Sequence, residues 1–368
     1  LWLLPGLALA ALTCPKGTVL VDGDVREHYC ALPGGTVKQG PSRRFHENGK
    51  VRSEGPWKDG EKSGTWSFWF ENGTLERKGD YAQGKLHGSW EHWHDNGTKW
   101  FDGEYDHGKA TGRWTYFHAN GQFESRGRFE NGARSGEWTV WYDNGQPKSI
   151  GKYEAGAQQG EWTTFFPSGD PETIGSYVEG RKEGEWVTFF EGTRMAERSS
   201  WTAGQLDGRV QSFHPNGELA SEQSYMSGAR HGTETHWSDT GVKLRELGWE
   251  GGVQHGVERS FYDDGTPRQE DTWTYGRKDG RAQGWFPDGS IRFTGEMQAG
   301  KETGWWKRYH GPGVLASEGR YVEGRKNGEW REYHDNGQLA AQGAYRDDER
   351  VGAWVQLTPD GKPTKARK

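Results

Sequence analysis

Between residues 88 and 111 the chain reads GSWEHWHDNGTKWFDGEYDHGKAT, with three His, three Trp and several carboxylates in 24 residues. Those residue types supply three chemistries. Imidazoles hold metal ions, paired carboxylates do acid–base work, and flat rings stack on sugars or on a partner's side chains. His92 and His94 share a strand face by two-residue alternation and would need a third ligand such as His118. Asp95 stands just before an Asn-Gly pair, where a carboxylate accepts backbone bonds.

Periodicity weakens the first two chemistries. Six of the 13 His, namely His46, His94, His118, His214, His310 and His334, are 24 residues or a multiple apart. In a stacked array such copies lie about 10 Å from one another, too far to share one zinc ion. Asp143, Asp263 and Asp335 repeat Asp95. An acid–base pair requires two carboxylates set apart from their copies, and none is. No Gly-rich loop opens a helix, and no Cys or Ser nucleophile has a recognisable setting. The expectation is a non-enzymatic protein with no cofactor and no metal site. Rings remain. Trp100, Phe166 and Trp305 fall outside the periodic ring positions, on what alternation makes a second face, and are the candidate surface-binding residues.

The same 24-residue clock organises the whole chain. Gly88 recurs at each step from Gly40 to Gly352. Gly97 recurs from Gly49 to Gly361, with one gap at Thr193, where Gly192 stands one place early. Gly108 recurs from Gly60 to Gly324, and Trp90, Trp93 and Tyr105 each have aromatic copies in most units. Asn-Gly between aromatic segments predicts a two-residue mirror-image hairpin turn, joining a strand over 90–94 to one over 99–105. Gly84 and Gly108, with Gly88 and Gly112 four residues on, mark the turn between hairpins. Lys99, Phe101, Gly103 and Tyr105 share one face by alternation, and the Gly leaves a hole there for a large ring, the Trp of the next unit. Trp90 and Trp93 are three apart, so either the strand bulges or Trp90 belongs to the incoming turn. The fold class is all-β: an elongated single-sheet, solenoid-like array of stacked β-hairpins.

Composition agrees. Hydrophobic residues make only 31% of 368, yet 21 Trp, 15 Phe and 14 Tyr give the array a core of rings. A net charge of -6 gives no nucleic-acid footprint and no support for anionic membranes. Residues 1–13 are an apolar, signal-peptide-like segment lacking a charged start, and too short to span a bilayer, which takes about 20 residues. Residues 14–39 form an N-terminal cap in which Cys14 and Cys30 pair; the alternative is a lipid on Cys14, which would leave Cys30 alone. Residues 40–361 are the repeats, and 362–368 a basic tail. In the middle the Trp90 position becomes Val210, Glu234, Glu258 and Ala282, while the Gly103 position becomes Ser199, Gln223, Leu247 and Asp271. Ring and hole are lost together, through drift or because these units form a bend, a different face or a binding region.

Two copies, GEWTVWYDNGQPKSIGKYEAG from Gly136 and GEWREYHDNGQLAAQGAYRDD from Gly328, resemble the MORN repeat variant of the bacterial YwqK-type toxin–antitoxin antitoxin family. The resemblance implies stacked hairpins used for protein contacts and, from the antitoxin label, the masking of a toxin. The expected function is a scaffold binding a protein partner, a toxin among the candidates, in a secreted, periplasmic or envelope location. The runner-up is a cell-envelope structural or carbohydrate-binding protein. A cytoplasmic antitoxin follows if the apolar start is not an export signal.

Overall fold

The computed structural model describes residues 12–23 and 26–364. Most of the apolar start and the last residues of the basic tail lie outside that range. The described residues form 31 strands and no helix, arranged as an open antiparallel sheet of stacked hairpins that is not closed into a barrel. The chain divides into two compact units, Leu1–Arg181 and Lys182–Lys368. Within each, strands run antiparallel to those before and after them: Lys85–Trp93 pairs with Lys99–Asp106, which pairs with Lys109–Phe117. In the second unit Lys301–Gly311, Val314–Val322 and Arg325–Tyr333 follow the same plan.

Two kinds of turn alternate, and the two-residue one is not at the Asn-Gly pair where the sequence places it. At the Asn-Gly pair, His94 donates its N–H to Thr98 O at 2.8 Å, and Gly97 donates to His94 O at 3.0 Å. Positive φ falls on Gly97 (84°) and not on Asn96. This is a three-residue loop closed by a left-handed glycine, not the expected two-residue turn. Asn is there for its side chain: the Nδ2 of Asn72 donates to Asp95 O (2.9 Å) and that of Asn120 to Asp143 O (2.7 Å), tying each turn to the next. The two-residue mirror turn exists at the other connection, where His107 (φ 47°) and Gly108 (φ 88°) join Asp106 to Lys109.

Gly88 corrects a second expectation. It lies inside a strand, at a bulge: Gly79 faces Trp90, but the next pair is Asp80 with His87. The left-handed φ of Gly88 (67°) permits that extra length. The bulge keeps Trp90 within the strand, and the indole Nε1–H reaches Asp80 O at 2.9 Å. Another bulge, between His92 and Trp93, reverses the alternation near the turn. Lys99 therefore joins Glu91 (2.7 Å) and Asp102 (3.3 Å) rather than Phe101.

The core is the expected ring-and-hole pairing. A Cβ on Gly79 would overlap the Trp90 indole, and one on Gly103 would overlap that of Trp114, the ring of the next repeat. In the second unit Gly295, Gly319 and Gly343 stand in the same relation to Trp306, Trp330 and Trp354. Tyrosines complete the line edge-on, with Tyr81 5.2 Å and Tyr105 6.4 Å from Trp90. Such pairs add about 0.5–1.5 kcal/mol each beyond area burial. At the N-terminal end Cys14 and Cys30 form a disulfide, Cα–Cα 5.5 Å, with Cys30 fully buried.

Candidate functional site

The histidine ladder builds structure in all but one repeat. Nε2–H of His46 donates to Trp69 O (2.8 Å), and His118, His214, His310 and His334 bond in the same way to carbonyls 23 residues on. Tyr142 and Tyr262 do it with their hydroxyls. His94 is the exception: its Nε2 is buried and has no hydrogen-bond partner. The metal set of His92, His94 and His118 is accordingly not assembled. His118 is bonded to Trp141 O (3.1 Å), and His92 stacks on Phe101 at 4.1 Å.

Trp100 explains what His94 does instead. In the ladder between these strands His92 faces Phe101 and Trp93 faces Lys99, which leaves Trp100 as the extra residue of the bulge. Alternation placed Trp100 on the second face; the bulge instead brings it against Phe101 (5.3 Å), His92 (6.2 Å) and His94 (5.8 Å). It still leaves 45% of the residue exposed. The result is a cleft of about 510 Å³, with Phe70 and Glu76 from one repeat and His92, Trp93, His94, Asp95 and Trp100 from the next. Burial, with the nearby Arg77 charge second, lowers the His92 pKa to about 4, so the ring is neutral at pH 7. The cleft thus offers indole surface, two carboxylates and a buried imidazole nitrogen without a partner. That is equipment for binding a flat or cationic group.

The other two sequence candidates do not join it. Phe166 is half-buried at the start of a turn, where its N–H donates to Asp170 O at 2.8 Å. Trp305 belongs to the second unit, 62% exposed in the strand Lys301–Gly311. Sequence reasoning missed Phe70, Glu76 and the altered role of His94. The available signal was the bulge position itself. Its copies are Arg52, Glu76, Glu124, Lys148, Glu172, Ala196, Ala220, Leu244, Arg268, Arg292, Ala316 and Ala340, and Trp100 alone is aromatic.

Fold and cleft together define a repeat scaffold. Seven segments match the MORN repeat variant: residues 38–59, 62–83, 134–155, 158–179, 206–226, 254–274 and 326–347. The chain thus carries seven segments similar to the MORN repeat variant, and the YwqK-type antitoxin resemblance is not confirmed. No curated protein matches the chain. Among solved structures, a chain of the crystal structure of TcdB2-TccC3 aligns at 9% identity and a TM-score of 0.17, covering 92% of this chain and 23% of that one. TcdB2-TccC3-Cdc42 aligns at 11% identity and a TM-score of 0.17, with 92% and 22% covered. The chain spans less than a quarter of the length of either, and likeness at that level carries no functional argument.

Proposed function

We propose that this chain is a non-enzymatic binding scaffold whose repeats present the Trp100 cleft to a protein partner. The observation that supports it most is the departure of one repeat from the rest. Trp100 is exposed, and His94 forgoes the bond that His46 and His118 make. A Trp with an open face beside Glu76 and Asp95 suits a basic or aromatic side chain of the partner, by cation–π attraction and ring packing. The finer reading is antitoxin-like, with a toxin as the masked partner. The Cys14–Cys30 disulfide supports an exported protein, since such bonds persist in oxidising compartments. The carbohydrate reading has one observation in its favour. Trp100 offers a flat apolar ring flanked by hydrogen-bonding groups of Glu76, His94 and Asp95, which also suits a sugar.

The test is capture from envelope and lysate fractions, with wild type and Trp100→Ala as paired baits and mass spectrometry as readout. A stoichiometric protein retained by wild type and lost by the variant is the expected result. Equal capture by both baits removes the cleft from the reading. No protein captured, with Trp100-dependent binding on a glycan array, replaces it with the carbohydrate reading.

A further inference from the structure

In the repeat that carries the cleft, a different group of residues meets at the opposite connection. We propose that His87, Asp106 and His107 form a binding site for a divalent transition metal ion of the zinc class. Their ligand atoms all lie within 4.8 Å of one another. Asp106 Oδ1 is 2.6 Å from His107 Nδ1 and 3.5 Å from His87 Nδ1, and the two imidazole centroids are 5.1 Å apart. Ligand atoms about 2.0–2.2 Å from a tetrahedral zinc stand roughly 3.3 Å from one another. The Asp106 distances of 2.6 and 3.5 Å bracket that spacing, and no ligand pair exceeds 4.8 Å.

A second observation bears on His87. In five other repeats the residue at its position caps the next mirror turn. Gln39 Oε1 accepts the N–H of Asp59 (2.7 Å), Gln159 that of Glu179 (3.0 Å), Glu183 that of Ala203 (2.8 Å) and Asp279 that of Ala299 (3.1 Å). Even His255 Nδ1 takes the N–H of Tyr275, at 3.4 Å. His87 Nδ1 makes no such bond. That nitrogen is covered and makes no hydrogen bond, although the His87 side chain is 45% exposed, and it faces the Asp106 carboxylate at 3.5 Å. His107 is held over it by the left-handed turn (φ 47°). No other repeat has Asp at the Asp106 position or His at the His107 position. Two imidazoles and one carboxylate are a ligand set for zinc, copper or nickel rather than for calcium or magnesium. Three protein ligands leave a position for water or for a donor from a bound molecule.

Both histidines can be replaced by residues the array itself uses at the same positions. His87→Gln copies Gln39 and Gln159, and His107→Asn copies Asn131, which keeps a left-handed φ of 51°. His118→Tyr, copying Tyr142, is a control for histidine loss elsewhere. Zinc chloride titrated calorimetrically into the full-length chain should give one saturable ion per chain. Losing even an outer partner of a metal ligand weakens affinity about 10–100-fold, so each of His87→Gln and His107→Asn should weaken it at least that much. His118→Tyr should leave it unchanged. Absence of one-to-one binding overturns the site. So does binding that survives either ligand variant, or that weakens equally in the control.

Discussion

The second unit solves the same packing problem twice, with different chemistry. In residues 291–356 Gly295, Gly319 and Gly343 receive the rings of Trp306, Trp330 and Trp354. Each indole N–H is satisfied by a backbone carbonyl, as Trp330 Nε1 donates to Arg320 O at 3.1 Å. In residues 199–284 the same positions hold Ser199, Gln223, Glu234 and Asp271, all buried, beside Leu247 and Ala282. There two of the remaining indoles donate to side chains, Trp201 to Ser199 Oγ (3.0 Å) and Trp273 to Glu258 Oε2 (2.7 Å), while the buried Nε1 of Trp249 has no hydrogen-bond partner. Asp271 is held by Lys278 and Gln269, each at 2.7 Å. The backbone pairing is indifferent to the exchange, because Gly319 faces Trp330 in the ladder just as Asp271 faces Ala282. The lesson is that the 24-residue backbone is set by turns and bulges. The core position tolerates either a ring over a glycine or a buried polar group, most of whose atoms are bonded; Gln223 Oε1 is left without a partner.

Removing a ring from the regular region should have the largest effect. Trp330 is almost wholly buried between Tyr321 (5.0 Å) and Tyr345 (6.1 Å). Trp330→Ala should destabilise by about 3–5 kcal/mol in a denaturant titration. A loss under about 1 kcal/mol would mean that the bulges carry the stability alone.

Grafting the regular chemistry onto the polar region is the next test. Val210→Trp alone should destabilise by about 1–3 kcal/mol, because Ser199 opposite it retains a Cβ and hydroxyl. With Ser199→Gly added the ring gains its hole. The double-mutant cycle should then show a favourable coupling of about 0.5–3 kcal/mol. Additive effects would break the view that ring and hole are one contact.

How much of this was legible beforehand depends on which interactions carry residue identity. Ring and hole are different residue types repeating at one interval, so the Gly103–Trp114 relation followed from counting. The two-residue turn was placed at Asn-Gly because Asn-Gly and His-Gly both tolerate positive φ. Only the bond from Gly97 to His94 O distinguishes a three-residue from a two-residue loop. The face of Trp100 was misassigned for a related reason: one bulge residue reverses every alternation beyond it. His94 has the same residue type as His118, so nothing in composition separates an imidazole that bonds its neighbour from one that does not.

A pH series sharpens the contrast through His92, which packs on the ring line. Its folded pKa of about 4 lies below the ordinary 6.5, so the unfolded chain takes up the proton first. The stabilisation is complete above pH 6.5 and is lost as pH falls towards 4. His92→Phe, copying Phe68, should remove that part of the acid sensitivity. Denaturation midpoints of the two proteins should then diverge between pH 6.5 and 4, and parallel curves would contradict the burial of the imidazole.

The smallest effect on stability should come from Trp100→Ala. Half-exposed, Trp100 gives up less buried surface than Trp330, so the loss should be about 1 kcal/mol. If Trp100 is the binding residue, the same change should abolish partner capture, whereas a ring that served only packing would lose stability and binding together. The Trp330→Ala array supplies the reference, since it is weakened in fold but keeps the cleft. Capture by Trp330→Ala and not by Trp100→Ala would separate the rings that build the sheet from the one it displays. The reverse order would place the docking surface on the second unit, where Trp305 is the exposed indole.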